Sequence, residues 1–74
     1  DTTIVVQCKH QEHVSADVVI QTYGMVNSED ADRGVVITTG GFTADARAFS
    51  DEHSEMQLID GTRLRELSEQ HRET

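Results

Sequence analysis

Gln7 and Lys9 interrupt an otherwise apolar, β-branched run, Ile4-Val5-Val6-Gln7-Cys8-Lys9. In an extended strand alternate residues leave the same face, so Gln7 and Lys9 sit side by side, about 7 Å apart by the rise per residue. Val5 shares their face, whereas Val6 and Cys8 point the other way, which reads as the core side. An amide and an ammonium on a buried strand are costly unless each has a partner. One reading is an active-site pair, with an amide oxygen near a metal ion and a cation near an attacked phosphate or its water. The other is a strand that is ending, with Lys9 already reaching solvent.

A second candidate is Thr38-Thr39-Gly40-Gly41-Phe42-Thr43, where a strand gives way to a helix. Parallel sheets bind ligands at carboxyl strand ends, and helix N-termini favour anions. Thr39, Gly40, Gly41 and Thr43 are therefore candidates for contact with a phosphate backbone. A strand-to-helix turn whose glycines only permit tight geometry fits equally well. Cys8, His10 and His13, completed by His53 or His71, raise a zinc site, but C-x-H-x₂-H with isolated histidines is not a recognised ligand spacing. Tyr23, Phe42 and Phe49 are few and scattered, which suits core packing better than a stacking platform for bases. Gly24 interrupts a helical pattern, a pattern expected where a helix packs closely on a sheet. Asp60 reads as a helix cap, and Arg63 and Arg65 as surface groups.

The elements that must position these residues follow from periodicity. A strand over Ile4–Cys8 leads through polar residues to Ser15, a good N-cap. A helix runs from Ala16 to about Val26, with Val19, Tyr23 and Val26 on one apolar face. Asn27 to Arg33 is a charged turn, and Gly34–Thr39 is a second strand, broken by Gly40-Gly41-Phe42. Thr43 caps a helix to about His53, with Asp45 in its first turn, where the helix dipole favours an acid. Met56–Ile59 is a third strand, and Asp60 opens a helix carrying Leu64 and Leu67. The order β-α-β-α-β-α predicts an α/β fold in which helices flank a central sheet of parallel strands. Three strands and three helices make a thin core, as expected of the C-terminal part of a larger unit.

Composition constrains the setting. The 74 residues hold 14 Asp+Glu against 6 Lys+Arg, a net charge of −8, and Lys9 is the only lysine. At face value this argues against nucleic acid, whose binding is driven by Lys and Arg. The acids are dispersed rather than gathered in a tail, however. That pattern, with lysine nearly absent, reads as the whole-surface adaptation of a salt-loving, archaeal source, where high salt screens the self-repulsion. Net charge then reports on solubility, and the lysine kept beside Gln7 matters more. One cysteine cannot form an internal disulfide, and no apolar run spans a membrane or resembles a signal peptide, so a cytoplasmic setting is expected.

Taken in order, Ile4-Val5-Val6-Gln7-Cys8-Lys9, Tyr23-Gly24, Gly34 to Thr43, Leu58-Ile59-Asp60-Gly61 and Arg63-Leu64 resemble the catalytic domain of Mrr-type restriction endonucleases. That family belongs to the PD-(D/E)xK nuclease superfamily, in a variant with Gln in place of the acid of the last motif. The resemblance spans nearly the whole chain and implies a restriction-endonuclease-like fold. It implies a metal-dependent DNA endonuclease acting on double-stranded DNA, including modified DNA, with Mg²⁺ or Mn²⁺ as cofactor; a homodimer is compatible with it. By the same resemblance Gln7 helps hold the metal, while Lys9 orients or activates the hydrolytic water and stabilises developing charge. The family's principal metal ligand is an aspartate on a preceding strand. Asp1, six residues before Gln7, falls on what reads as the same strand or its approach. The chain is thus expected to carry half of an active site and to be inert by itself. The competing expectation is a degenerate nuclease-like domain that binds DNA or protein without cutting.

Overall fold

A computed structural model describes residues 1–70. Strand β1 (Ile4–Lys9) is followed by the two-residue β2 (His13–Val14) and helix α1 (Ala16–Ser28). Next come β3 (Arg33–Thr38), β4 (Gly41–Phe42) and α2 (Ala44–Glu52), then β5 (Met56–Ile59) and α3 (Gly61–Gln70). The main sheet has the order β1-β3-β5 with both pairings parallel, as the alternation of elements requires. The result is an α/β arrangement with three helices around a parallel sheet.

Helices α1 and α2 pack on each other, α1 covers β1 and β3, and α2 covers β5. Beneath them lies a core of Val14, Val19, Val26, Val36, Phe42, Ala46 and Met56. Val5, Val18, Tyr23, Ala31, Phe49 and Leu58 pack around it, half-buried. α3 packs against β3 and β5, and its Leu64 and Leu67, both half-buried, are not members of this cluster.

Helix starts follow local chemistry. Thr43 caps α2 by accepting from the Ala46 amide at 3.2 Å, with Asp45 in the first turn. Asp60 caps α3 by accepting from the Arg63 amide at 2.9 Å. Ser15 occupies the N-cap position of α1 with extended backbone, but its hydroxyl makes no capping bond. α1 continues two residues past Val26, to Ser28. The chain then turns through Asp30, whose φ of 54° is in the left-handed region that Asp tolerates better than most residues.

Two expectations are overturned and two are extended. Val6 and Cys8 do not face the core: Val6 is 53% exposed and Cys8 is exposed, as is Ile4 at 49%. Alternation divides β1 correctly, but α1 docks on the Val5-Gln7-Lys9 side. Gly24 does not pack on the sheet either, since a Cβ added there meets nothing within 4 Å. Gly40-Gly41-Phe42 does more than end a strand, because Gly41–Phe42 is itself β4 and pairs in parallel with His13–Val14. The aromatic residues are not all scattered. Tyr23 and Phe49 meet edge-on at 5.6 Å between centroids, and His53 stacks on Phe49 at 4.1 Å, joining a half-buried trio beside the core. Phe42 lies in the core as expected.

Candidate active site

The parallel register places Gln7 beside Val36 and Lys9 beside Thr38 on the adjacent strand. Paired residues leave the same face, so the two polar side chains emerge beside the fully buried Val36 and the 1%-exposed Thr38. Both are half-buried, and among the described residues neither side chain takes part in a hydrogen bond or ion pair. Lys9 is the last residue of β1, yet it has not simply escaped into solvent. The structure keeps an amide and an ammonium together, half-covered and unspent, at the carboxyl end of a parallel strand.

The turn between β3 and α2 forms the adjoining wall. Thr38 Oγ1 donates to the Gln11 carbonyl at 3.0 Å and accepts from the Gly40 amide at 3.1 Å. The Gly41 amide donates to the Glu12 carbonyl at 2.8 Å. Both glycine amides are therefore engaged inside the chain, so as they stand neither is free to cradle a phosphate. A Cβ on Gly40 would collide with the Gln11 carbonyl oxygen and approach Glu12 Cα to 2.7 Å. That glycine is needed where the link following β1 crosses over the turn. The Thr43 hydroxyl accepts the capping bond of α2 and keeps its proton to donate, and Thr39 is exposed. Of the four turn candidates, Thr39 and Thr43 are the two with side-chain hydroxyls, the first exposed and the second half-buried.

The start of α3 is tied to the same turn. The Gly61 amide donates to the Gly40 carbonyl at 2.8 Å, and a Cβ on Gly61 would strike the Thr39 carbonyl oxygen. One residue earlier, Asp60 bonds the Arg63 amide through Oδ1 and the Arg47 guanidinium through Oδ2, each at 2.9 Å. Those bonds, the backbone amide foremost and Arg47 next, hold its carboxyl below the usual aspartate range. Arg47, on α2, also lies over the Phe42 ring, 5.8 Å from its centroid, and so links the cap of α3 to α2 and β4. Asp60 is a structural cap in this arrangement, and Arg63 and Arg65 make only exposed, same-helix contacts with Glu66 and Thr62.

No group of three or more His, Cys, Asp or Glu side chains converges to hold a metal among the described residues. Cys8 lies on the open face, and His53 Nδ1 is 2.8 Å from the Phe49 carbonyl at the end of α2. His71 lies outside the described residues. The zinc reading thus finds no centre. Gln7 offers one amide oxygen, so these residues do not by themselves make a divalent-metal centre either.

Thr38 is the residue that sequence reasoning passed over. It sits in the Thr-Thr-Gly-Gly-Phe-Thr run, but its special position depends on the register with Lys9, which alternation within one strand cannot reveal.

A family model described as restriction endonuclease, the Mrr catalytic domain, matches residues 1–68. The chain belongs to the Mrr-type restriction endonuclease catalytic family. It is also 40% identical over 62 residues to the type IV methyl-directed restriction enzyme EcoKMrr of Escherichia coli K12. That alignment takes in 82% of this chain and 20% of the relative, so the chain spans about a fifth of the relative's length. No solved structure matches. Within this Mrr-type domain, no described helix is long and apolar enough to cross a membrane.

Proposed function

We propose that this Mrr-type domain supplies the Gln7/Lys9 part of an active site that hydrolyses phosphodiester bonds in double-stranded DNA, including modified DNA. The observation that supports it is the half-covered pair at the end of β1, with no partner inside the described chain to neutralise or satisfy it. Lys9 would hold the attacking water or the phosphoryl oxygen and offset charge as it develops in the transition state. Gln7 would help hold a divalent metal through its amide oxygen. Thr39 and Thr43, at the neighbouring turn, would donate to the DNA backbone.

The activity is proposed to depend on Mg²⁺ or Mn²⁺, with acidic ligands contributed from outside these 74 residues. The isolated chain should therefore be inert on plasmid DNA with Mg²⁺, and Lys9-dependent nicking by it would end that claim. The dispersed acidic surface is read as an adaptation to high salt, which sets the assay conditions. At high salt with Mg²⁺, the full-length protein should nick plasmid DNA. Lys9→Ala should slow it by about 100-fold or more, the usual loss when one group stabilising the transition state is removed. Equal cleavage by both proteins would remove Lys9 from the mechanism. DNA binding without cleavage by either would favour the non-catalytic reading.

A further inference from the structure

Two polar side chains are buried among the described residues, Thr22 and Thr38. Thr22 returns its hydroxyl proton to the Val18 carbonyl one turn back in its own helix, at 2.9 Å. Thr38 does something different: its bond to the Gln11 carbonyl joins residues 27 apart in sequence, and the same oxygen accepts from the Gly40 amide. A buried hydroxyl that is both donor and acceptor escapes the cost of desolvation, but valine of nearly the same shape would incur none. The hydroxyl is therefore explained by what it connects.

Lys9–Thr38 is the last pair of the β1–β3 ladder. Beyond it the ladder offers no further pairing to hold the departing chain. The chain leaving Lys9 is instead caught at Gln11 by Thr38 and at Glu12 by the Gly41 amide. Gly40 lets that link lie directly on the turn. We infer that Thr38 is a positioning residue: its buried hydroxyl holds the segment after Lys9 against the β3–β4 turn and so fixes where the Lys9 ammonium points. This inference rests on the proposed nuclease role of Lys9.

The test uses the full-length protein with plasmid DNA and Mg²⁺, at a temperature where circular dichroism shows each variant folded. Thr38→Val should lower kcat by about 10- to 100-fold with KM unchanged, as expected when a reacting group is displaced by a fraction of an ångström to an ångström. Thr38→Ser, which keeps the hydroxyl, should retain kcat. Thr22→Val, an equally buried loss of a hydroxyl, should leave kcat at the wild-type value. Thr38→Ala removes the hydroxyl a second way should the valine variant not fold. Wild-type kcat in a folded Thr38→Val or Thr38→Ala, alongside an inactive Lys9→Ala, overturns the positioning role while leaving the nuclease reading intact. A folded Thr38→Ser as slow as the valine variant overturns it too. Full activity in Lys9→Ala instead removes the reading on which the inference stands.

Discussion

The same substitution, glycine to alanine, should have opposite effects at Gly24 and Gly40, and the structure sets both signs. Gly24 is an exposed interior position of α1, where an added Cβ has open space for at least 4 Å. Alanine there gains helix propensity and restricts the unfolded chain, which together stabilise by about 0.5–1 kcal/mol. For a domain of this size that raises the melting temperature by about 4–8 °C per kcal/mol. At Gly40 the added carbon would collide with the Gln11 carbonyl and lie 2.7 Å from both the Glu12 Cα and its carbonyl oxygen. These are backbone atoms, held by the Thr38 and Gly41 hydrogen bonds, so they cannot swing aside as a flexible side chain does. Forced overpacking of this kind costs about 1–3 kcal/mol. The measurement is urea unfolding followed by circular dichroism, with midpoints compared at constant slope. A destabilised Gly24→Ala variant would mean that a neighbour occupies that open face. A neutral Gly40→Ala variant would refute the close crossing of the link over the turn, and with it the geometry that directs Lys9.

Acid titration of Asp60 provides a further check. Its carboxyl is held below the ordinary value by the Arg63 amide and by Arg47, so its contribution is complete above the unfolded pKa of about 3.9 and disappears as pH falls through the lower folded value. At neutral pH Asp60→Ala should lose about 1 kcal/mol with the cap, whereas Asp60→Asn keeps a capping oxygen and should lose only the exposed Arg47 pair, worth about 0–1 kcal/mol. Denaturation midpoints at pH 7 and pH 2 measure the gap between wild type and Asp60→Ala; a gap that stays constant would show that the carboxylate contributes nothing. The two other N-caps should also differ. Thr43→Ala removes a real capping bond and should cost about 1 kcal/mol, while Ser15→Ala removes none and should be close to neutral by the same urea unfolding. Equal losses at both would mean that Ser15 caps α1 after all.

Local chemistry was enough to place Met56–Ile59, the capping roles of Thr43 and Asp60, and the pairing of Gln7 with Lys9 on one face of β1. Strand period, cap preference and each separate motif of the Mrr-type family are written within a few neighbouring residues. What alternation cannot say is which of its two sets of residues is covered. It separates Val5, Gln7 and Lys9 from Ile4, Val6 and Cys8, but only the docking of α1 decides that the first set is half-buried and the second exposed. Gly24 and Gly40 are the same residue type in sequence, and what separates them is the distance to a segment far away along the chain. The β2–β4 pair and the Thr38 tether likewise join segments almost thirty residues apart, as the 27-residue span of the tether shows. So the sequence by itself determined the strand that carries Gln7 and Lys9 and the face they share. Only the tertiary structure decided what covers that face and what holds its lysine in place, because burial and register are properties of contacts between distant segments.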